Sequence, residues 1–223
     1  MSGRPSPTGS LKENSGSRHK LNGDLISKIT LFCVAVIEKI LLSRLHLEAC
    51  YNLNIMKIEK LKSDDTKEFK YLMQAAFQCG YESIFGKSDS EILPEKDIDR
   101  GLKKPNSHAY AMMDQNAIVG GAIITIDDKT SQGELDFLFV KVGIQGKGIG
   151  QRIWQEIEAM YPNIKVWKTC TPYFDKRNIH FYVNKLKFKI VRYFEHEEPN
   201  DEQTNHDFEK EGGMFEFEKI MNE

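Results

Sequence analysis

A chain of 223 residues with 40% apolar side chains can bury one sizeable core and still leave a segment outside it. A net charge of −2 excludes a global electrostatic drive toward nucleic acid or an anionic membrane. The four cysteines (Cys33, Cys50, Cys79, Cys170) lack paired spacing and make no ligand pattern with the six scattered histidines, so the sequence predicts a reducing, cytoplasmic setting and no metal site.

Residues 1–20 are rich in Ser, Gly and charge and read as disordered or as a leader. Residues 25–47 carry the pattern of an amphipathic helix. Their longest unbroken apolar run, 31–37, is far short of the roughly 20 residues a membrane span needs, so no span is expected; the helix reads as an appended or packing one, with a membrane-surface or partner helix as the alternative. Met56 opens a strand, Met56-Lys57-Ile58-Glu59-Lys60-Leu61. Asp65, with Glu68 three residues on, carries a helix-capping signature. Phe69, Leu72, Met73 and Ala76 form the apolar face of that helix, and Gly80 is expected to end it. A shorter helix is predicted at 95–102. Strands follow at 109–113 and 117–126 around Asp114-Gln115-Asn116, and a polar turn at 127–132 leads to a central strand at 135–140. Next comes a helix carrying Ile149, Ile153, Trp154, Ile157 and Met160, stopped by Pro162. A strand at 164–169, a helix at 175–184 and a closing strand pair at 188–194 and 214–220 complete the order, with an acidic loop between the last two. Trp167 is expected to pack in the sheet.

Between the central strand and its helix lies Gln145-Gly146-Lys147-Gly148-Ile149-Gly150. A glycine-rich turn entering a helix aims several backbone N–H groups at one spot, at the positive end of the helix dipole, and that geometry binds phosphate. A P-loop is excluded because Lys147 precedes Gly148 rather than Ser or Thr. The dinucleotide fingerprint is excluded because Gln151 and Ile153 stand where its third glycine would fall.

What fits is Gln-x-x-Gly-x-Gly at Gln145, Gly148 and Gly150, after Leu138-Phe139-Val140. In these residues the chain resembles the GNAT superfamily of acetyl-CoA-dependent N-acetyltransferases. One departure is Val142, where that family often has proline. The resemblance covers about 56–220. It implies an α/β fold with a mixed, mostly antiparallel central sheet flanked by helices, residues 56–223 forming the acetyltransferase domain and 1–55 an N-terminal extension. It also implies acetyl-CoA as co-substrate, its pyrophosphate held by Gln145, Gly146, Lys147, Gly148, Ile149, Gly150 and Gln151 beside Leu138, Phe139 and Val140.

Acetyl transfer from a thioester needs a neutral amine, hydrogen-bond donors for the developing oxyanion and a proton for the departing thiolate. The resemblance puts the oxyanion donors in the backbone near residues 139–141. It makes Glu134 the candidate base, with Asp136, two residues on and on the same strand face, as the alternative. The stretch Asn178-x-x-Phe181-Tyr182-x-x-Lys185-x-x-Phe188 is similar to the family's segment beside the thioester sulfur. That makes Tyr182 the candidate acid and Asn178 a pantetheine contact, although Leu186 and Lys187 stand near a position where glycine is frequent. Cys170 reads as a small buried residue rather than the nucleophile of a ping-pong route.

The expected function is direct acetyl transfer to a primary amine, on a small molecule or a peptide. The alternatives are transfer of a longer acyl group and a non-catalytic acyl-CoA-binding regulator. No nucleic-acid partner is expected, and the reading leaves room for a homodimer. The loop 195–211 carries eight carboxylates against one lysine, Lys210. It is either a solvated loop or a surface that concentrates a cationic acceptor.

Overall fold

A computed structural model describes residues 56–195 and 212–221, together with Lys39. The expected helix at 25–47 apart from Lys39, the expected leader at 1–20 and all of the acidic loop except Glu195 lie outside the described residues.

The elements run β1 (Lys57–Lys60), α1 (Thr66–Phe85), α2 (Glu95–Lys103), β2 (Ser107–Asp114), β3 (Ala117–Asp127), β4 (Gln132–Val140), α3 (Ile149–Met160), β5 (Val166–Pro172), α4 (Lys176–His180), a π turn at Phe181–Lys185, β6 (Lys189–Phe194) and β7 (Met214–Ile220). The seven strands form one sheet in the order β1-β2-β3-β4-β5-β7-β6. Every neighbouring pair is antiparallel except β4 with β5. This is the mixed, mostly antiparallel α/β architecture that the sequence implies.

Two apolar layers cover the sheet. On one face Ile149, Ile153, Trp154 and Ile157 of α3 pack with Leu135, Trp167, Phe188 and Phe217. On the other, Phe69, Leu72 and Met73 of α1 and Ile98 of α2 pack with Ile123 and Phe139. β3 lies between both layers, which is why it reads as an apolar run rather than an alternation. Trp167 packs in the sheet as expected, edge-on to Trp154 at 5.1 Å between ring centres.

Three local expectations are corrected. First, α1 does not stop at Gly80 but continues to Phe85, where Gly86 caps it with its N–H on the Glu82 carbonyl. A glycine inside a helix costs only about 1 kcal/mol relative to alanine. Buried Tyr81, whose ring meets Phe85 and Phe174, offsets that cost. Second, Asp65 makes no side-chain cap; the Thr66 hydroxyl bonds back to the Lys62 carbonyl instead. Third, the helix predicted at 175–184 changes pitch. It is α-helical only to His180, then widens into the π turn, with the Leu186 N–H on the Phe181 carbonyl and the Phe188 N–H on that of Tyr182.

Candidate active site

β4 and β5 pair over only three positions, from Gln132 opposite Val166 to Glu134 opposite Lys168. Beyond that they part: β4 stays with β3 as far as Val140, and β5 stays with β7 as far as Pro172. The Thr169 hydroxyl spans the start of the opening by donating to the Leu135 carbonyl at 2.9 Å. The backbone groups lining the opening follow from the pairing with β3. The Lys141 N–H bonds the Val119 carbonyl at 3.0 Å. A strand turns successive N–H groups to opposite edges, so Phe139 faces β3 with Lys141, while Leu138 and Val140 face the opening. Of the backbone N–H groups around 138–141, those of Leu138 and Val140 thus face the opening, and that of Lys141 is committed to β3.

The glycine turn follows β4 directly in sequence. Gln145 pins it, its side-chain amide donating to the Val140 carbonyl at 3.3 Å. Gly146 and Gly148 have φ of 79° and 83°, a left-handed conformation that favours glycine. Gly148 caps α3, and the first helical hydrogen bond runs from the Arg152 N–H to the Gly148 carbonyl. The N–H groups of Ile149, Gly150 and Gln151 thus lie ahead of the helical ladder. The first turn carries no acidic residue, and exposed Lys147 flanks it. These features fit a bound phosphate. Gly150 also serves the packing. A Cβ there would lie 3.2 Å from the Phe181 ring and 3.4 Å from Val140, so its smallness seats α3 on β4. Ile149 is buried in the core and can offer a ligand only its backbone.

Tyr182 lies in the π turn, buried among Phe181, Phe188 and Phe217. Its hydroxyl shares a hydrogen bond with that of Thr169, whose own oxygen also reaches the Leu135 carbonyl. Burial, set against that hydrogen bond, pushes the phenol up to about 12 and keeps it protonated. Tyr182 therefore points at the root of the β4–β5 opening. Asn178 is half-buried on α4, where its backbone N–H is held by the Asp175 carboxylate at 2.8 Å. Lys187 takes φ of 68°, the conformation a glycine would favour at this helix end.

The carboxylates stand on a β-bulge. The register slips so that Ile123 faces Phe137 and Ile124 faces Leu135, leaving Asp136 as the extra residue. Leu135 accordingly joins the α3 layer while Phe137 joins the α1–α2 layer, although a regular strand would put both on one face. Lys104, immediately after α2, donates to Glu134 at 2.6 Å and to Asp136 at 2.9 Å. The Thr125 hydroxyl donates to the second Asp136 oxygen at 2.7 Å. Burial raises the Asp136 carboxyl above its ordinary value, outweighing the hydrogen bonds from Thr125 and Lys104. For Lys104, burial lowers the ammonium, but its bonds to Glu134 and Asp136 win and raise it.

Cys170 is exposed, not buried as expected, because its side chain lies on the β5 face opposite Trp167 and Thr169. Partial loss of water, with the charges of Glu216 and Glu134, pushes its thiol up to about 11. A thiol so protonated is a poor nucleophile. Among the described residues no group of histidine, cysteine and carboxylate side chains could hold a metal ion.

The sequence pattern of the Acetyltransferase (GNAT) family matches residues 69–188, more than half of the chain. The chain belongs to this family. Its members are acyltransferases, and the GNAT match spans β4, the glycine turn, α3 and the π turn together. The uncharacterized protein YrkN of Bacillus subtilis strain 168 is 34% identical over 171 residues, covering 74% of this chain and 92% of that one. The GNAT fold is shared with a GNAT family acetyltransferase from Elizabethkingia anophelis with acetyl-CoA bound, at 15% identity and a TM-score of 0.54 over 75% of this chain and 99% of that one. It is shared also with a Bacillus subtilis acetyltransferase in complex with CoA, at 16% identity and a TM-score of 0.53 over 75% and 99%.

Proposed function

We propose that this GNAT protein moves acetyl from acetyl-CoA to a primary amine by direct attack within a ternary complex. The observation that carries the reading is the opening between β4 and β5. It leaves the N–H groups of Leu138 and Val140 at a strand edge beside a turn whose own N–H groups suit a pyrophosphate. In this reading Gly146 to Gln151 hold the pyrophosphate by backbone, with Lys147 adding charge, and Asn178 lies along the pantetheine. Acetyl-CoA supplies the activated acyl group.

Glu134 takes the proton from the incoming ammonium, directly or through water, with Asp136 as the second carboxylate. The freed amine forms the new N–C bond as the C–S bond breaks, and Leu138 and Val140 stabilise the charge on the carbonyl oxygen. Tyr182 gives its proton to the departing sulfur, and the second proton lost by the attacking nitrogen as the amide forms returns through water to the phenol. The protonated state of Cys170 favours this direct route over an acyl-enzyme. The reading includes a reducing, cytoplasmic setting, supported by the free thiols of Cys79 and Cys170.

The test is thiol release from acetyl-CoA across a panel of small and peptidic amines, with mass-spectrometric detection of products. Amine-dependent release and an N-acetyl product are expected. Tight acetyl-CoA binding without release on any amine would leave a non-catalytic binder and sink the proposal.

A further inference from the structure

Glu134 and Asp136 lie within hydrogen-bond reach of one ammonium, that of Lys104. The other charged groups around them are already partnered. Lys168, opposite Glu134 on β5, pairs with Glu218 of β7 at 3.3 Å. Lys103, the neighbour of Lys104, pairs with Asp99 at 3.6 Å. Lys70 of α1 pairs with Glu95 and Asp99. Glu216 pairs with Arg192 at 2.8 Å, and the thiol of Cys170, between Glu216 and Glu134, is neutral. From β3 only the Thr125 hydroxyl reaches the pair, and it is spent on Asp136.

We propose that Lys104 is a positioning residue for the transfer, holding Glu134 ionised beside Asp136 and so setting the pH at which the base begins to work. The proposal rests on Glu134 being the base. Two carboxylates that share a site resist ionising together, and one of them keeps a proton to higher pH. An ammonium bonded to both removes that conflict. Without it the two would titrate as a coupled pair, and Glu134 would ionise facing Asp136 with no cation between them. The two carboxylates stand two residues apart on β4, and both reach the same lysine across the bulge. The mutual influence is already visible in Asp136, whose carboxyl is raised by the charge of Glu134 and lowered by that of Lys104, both after burial.

The experiment is the pH profile of kcat/KM for amine-dependent thiol release by the full chain. Lys104→Met should move the acidic limb up by about one pH unit or more, while Lys104→Arg, which keeps the charge, should leave it near the wild-type position. Asp136→Asn leaves Lys104 facing Glu134 alone and should move the limb down. A Lys104→Met limb at the wild-type position, with only a lower melting temperature, reduces Lys104 to a structural ion pair and overturns the proposal. If Lys104→Met does not fold, Lys104→Gln decides: an upward shift supports the proposal and an unmoved limb overturns it. The base reading fails separately, when Glu134→Gln keeps the wild-type rate and profile whatever Lys104 does.

Discussion

Tyr182 and Asp136 owe their properties to what surrounds them, and each yields a measurement. Tyr182→Phe removes one hydroxyl and leaves the ring packed among Phe181, Phe188 and Phe217. Turnover should fall by about 10²-fold or more if the phenol is the acid. Stability should fall by only about 1 kcal/mol, from the lost bond to Thr169. Thiol release and a thermal melt read the two effects apart, and wild-type turnover would leave Tyr182 as a core ring. Asp136 binds its proton more tightly in the folded state than in the unfolded chain, because burial raises it above 3.8. Its contribution to stability is therefore complete below the ordinary carboxylate range and is lost as pH rises through its folded value. Urea unfolding from about pH 3.5 to about pH 7 should show wild type losing ground to Asp136→Asn as pH rises; a constant difference would mean an unperturbed carboxyl. The Lys104 contact to these carboxylates could not be read from the chain. Lys104 lies thirty residues from Glu134, and only the docking of α2 on the sheet joins them.

Strand, turn and helix from β4 through α3 were the most legible part of the chain, since an apolar strand switches there to helical spacing across fixed glycines. The bulge at Asp136 was not legible, because one extra residue changes the faces without changing the composition. Nor was the π turn, whose widening shows only in the carbonyls that Leu186 and Phe188 reach. The run of α1 through Gly80 was hidden for a related reason: tertiary contacts of Tyr81 with Phe174 overrode a local stop signal. Element packing gives its own prediction. Gly133 sits in the short parallel ladder opposite Trp167, and a Cβ there would lie 2.4 Å from the indole. Gly133→Ala should destabilise by about 1–3 kcal/mol through overpacking, measured by urea unfolding. An unchanged midpoint would show that Trp167 yields at no cost. The same logic separates two residues of the turn. Gly150→Asp would disturb the seat against Phe181, whereas Lys147→Asp, on an exposed side chain, should raise the KM for acetyl-CoA and leave the melting temperature alone.

For the molecule as a whole, we propose that the transferase domain begins at Met56. Met56 is buried in the α3 layer, and β1 behind it pairs along β2 from Lys57 to Lys60. A fragment of 56–223 should fold, bind CoA and release thiol at rates close to those of the full chain; an insoluble or inactive fragment would place the boundary earlier. Among the described residues no helix is long and apolar enough to cross a membrane. The edge-on contact of Trp154 with Trp167 has a practical consequence for all these measurements. They are the only tryptophans in the chain, both fully buried, and neither indole N–H has a hydrogen-bond partner among the described residues. Ultraviolet emission excited in the indole band thus arises from one spot, where α3 meets β5. Its spectrum should be blue in the native protein and shift red as that seam takes up water, so the protein carries a built-in optical gauge of the layer that supports the glycine turn.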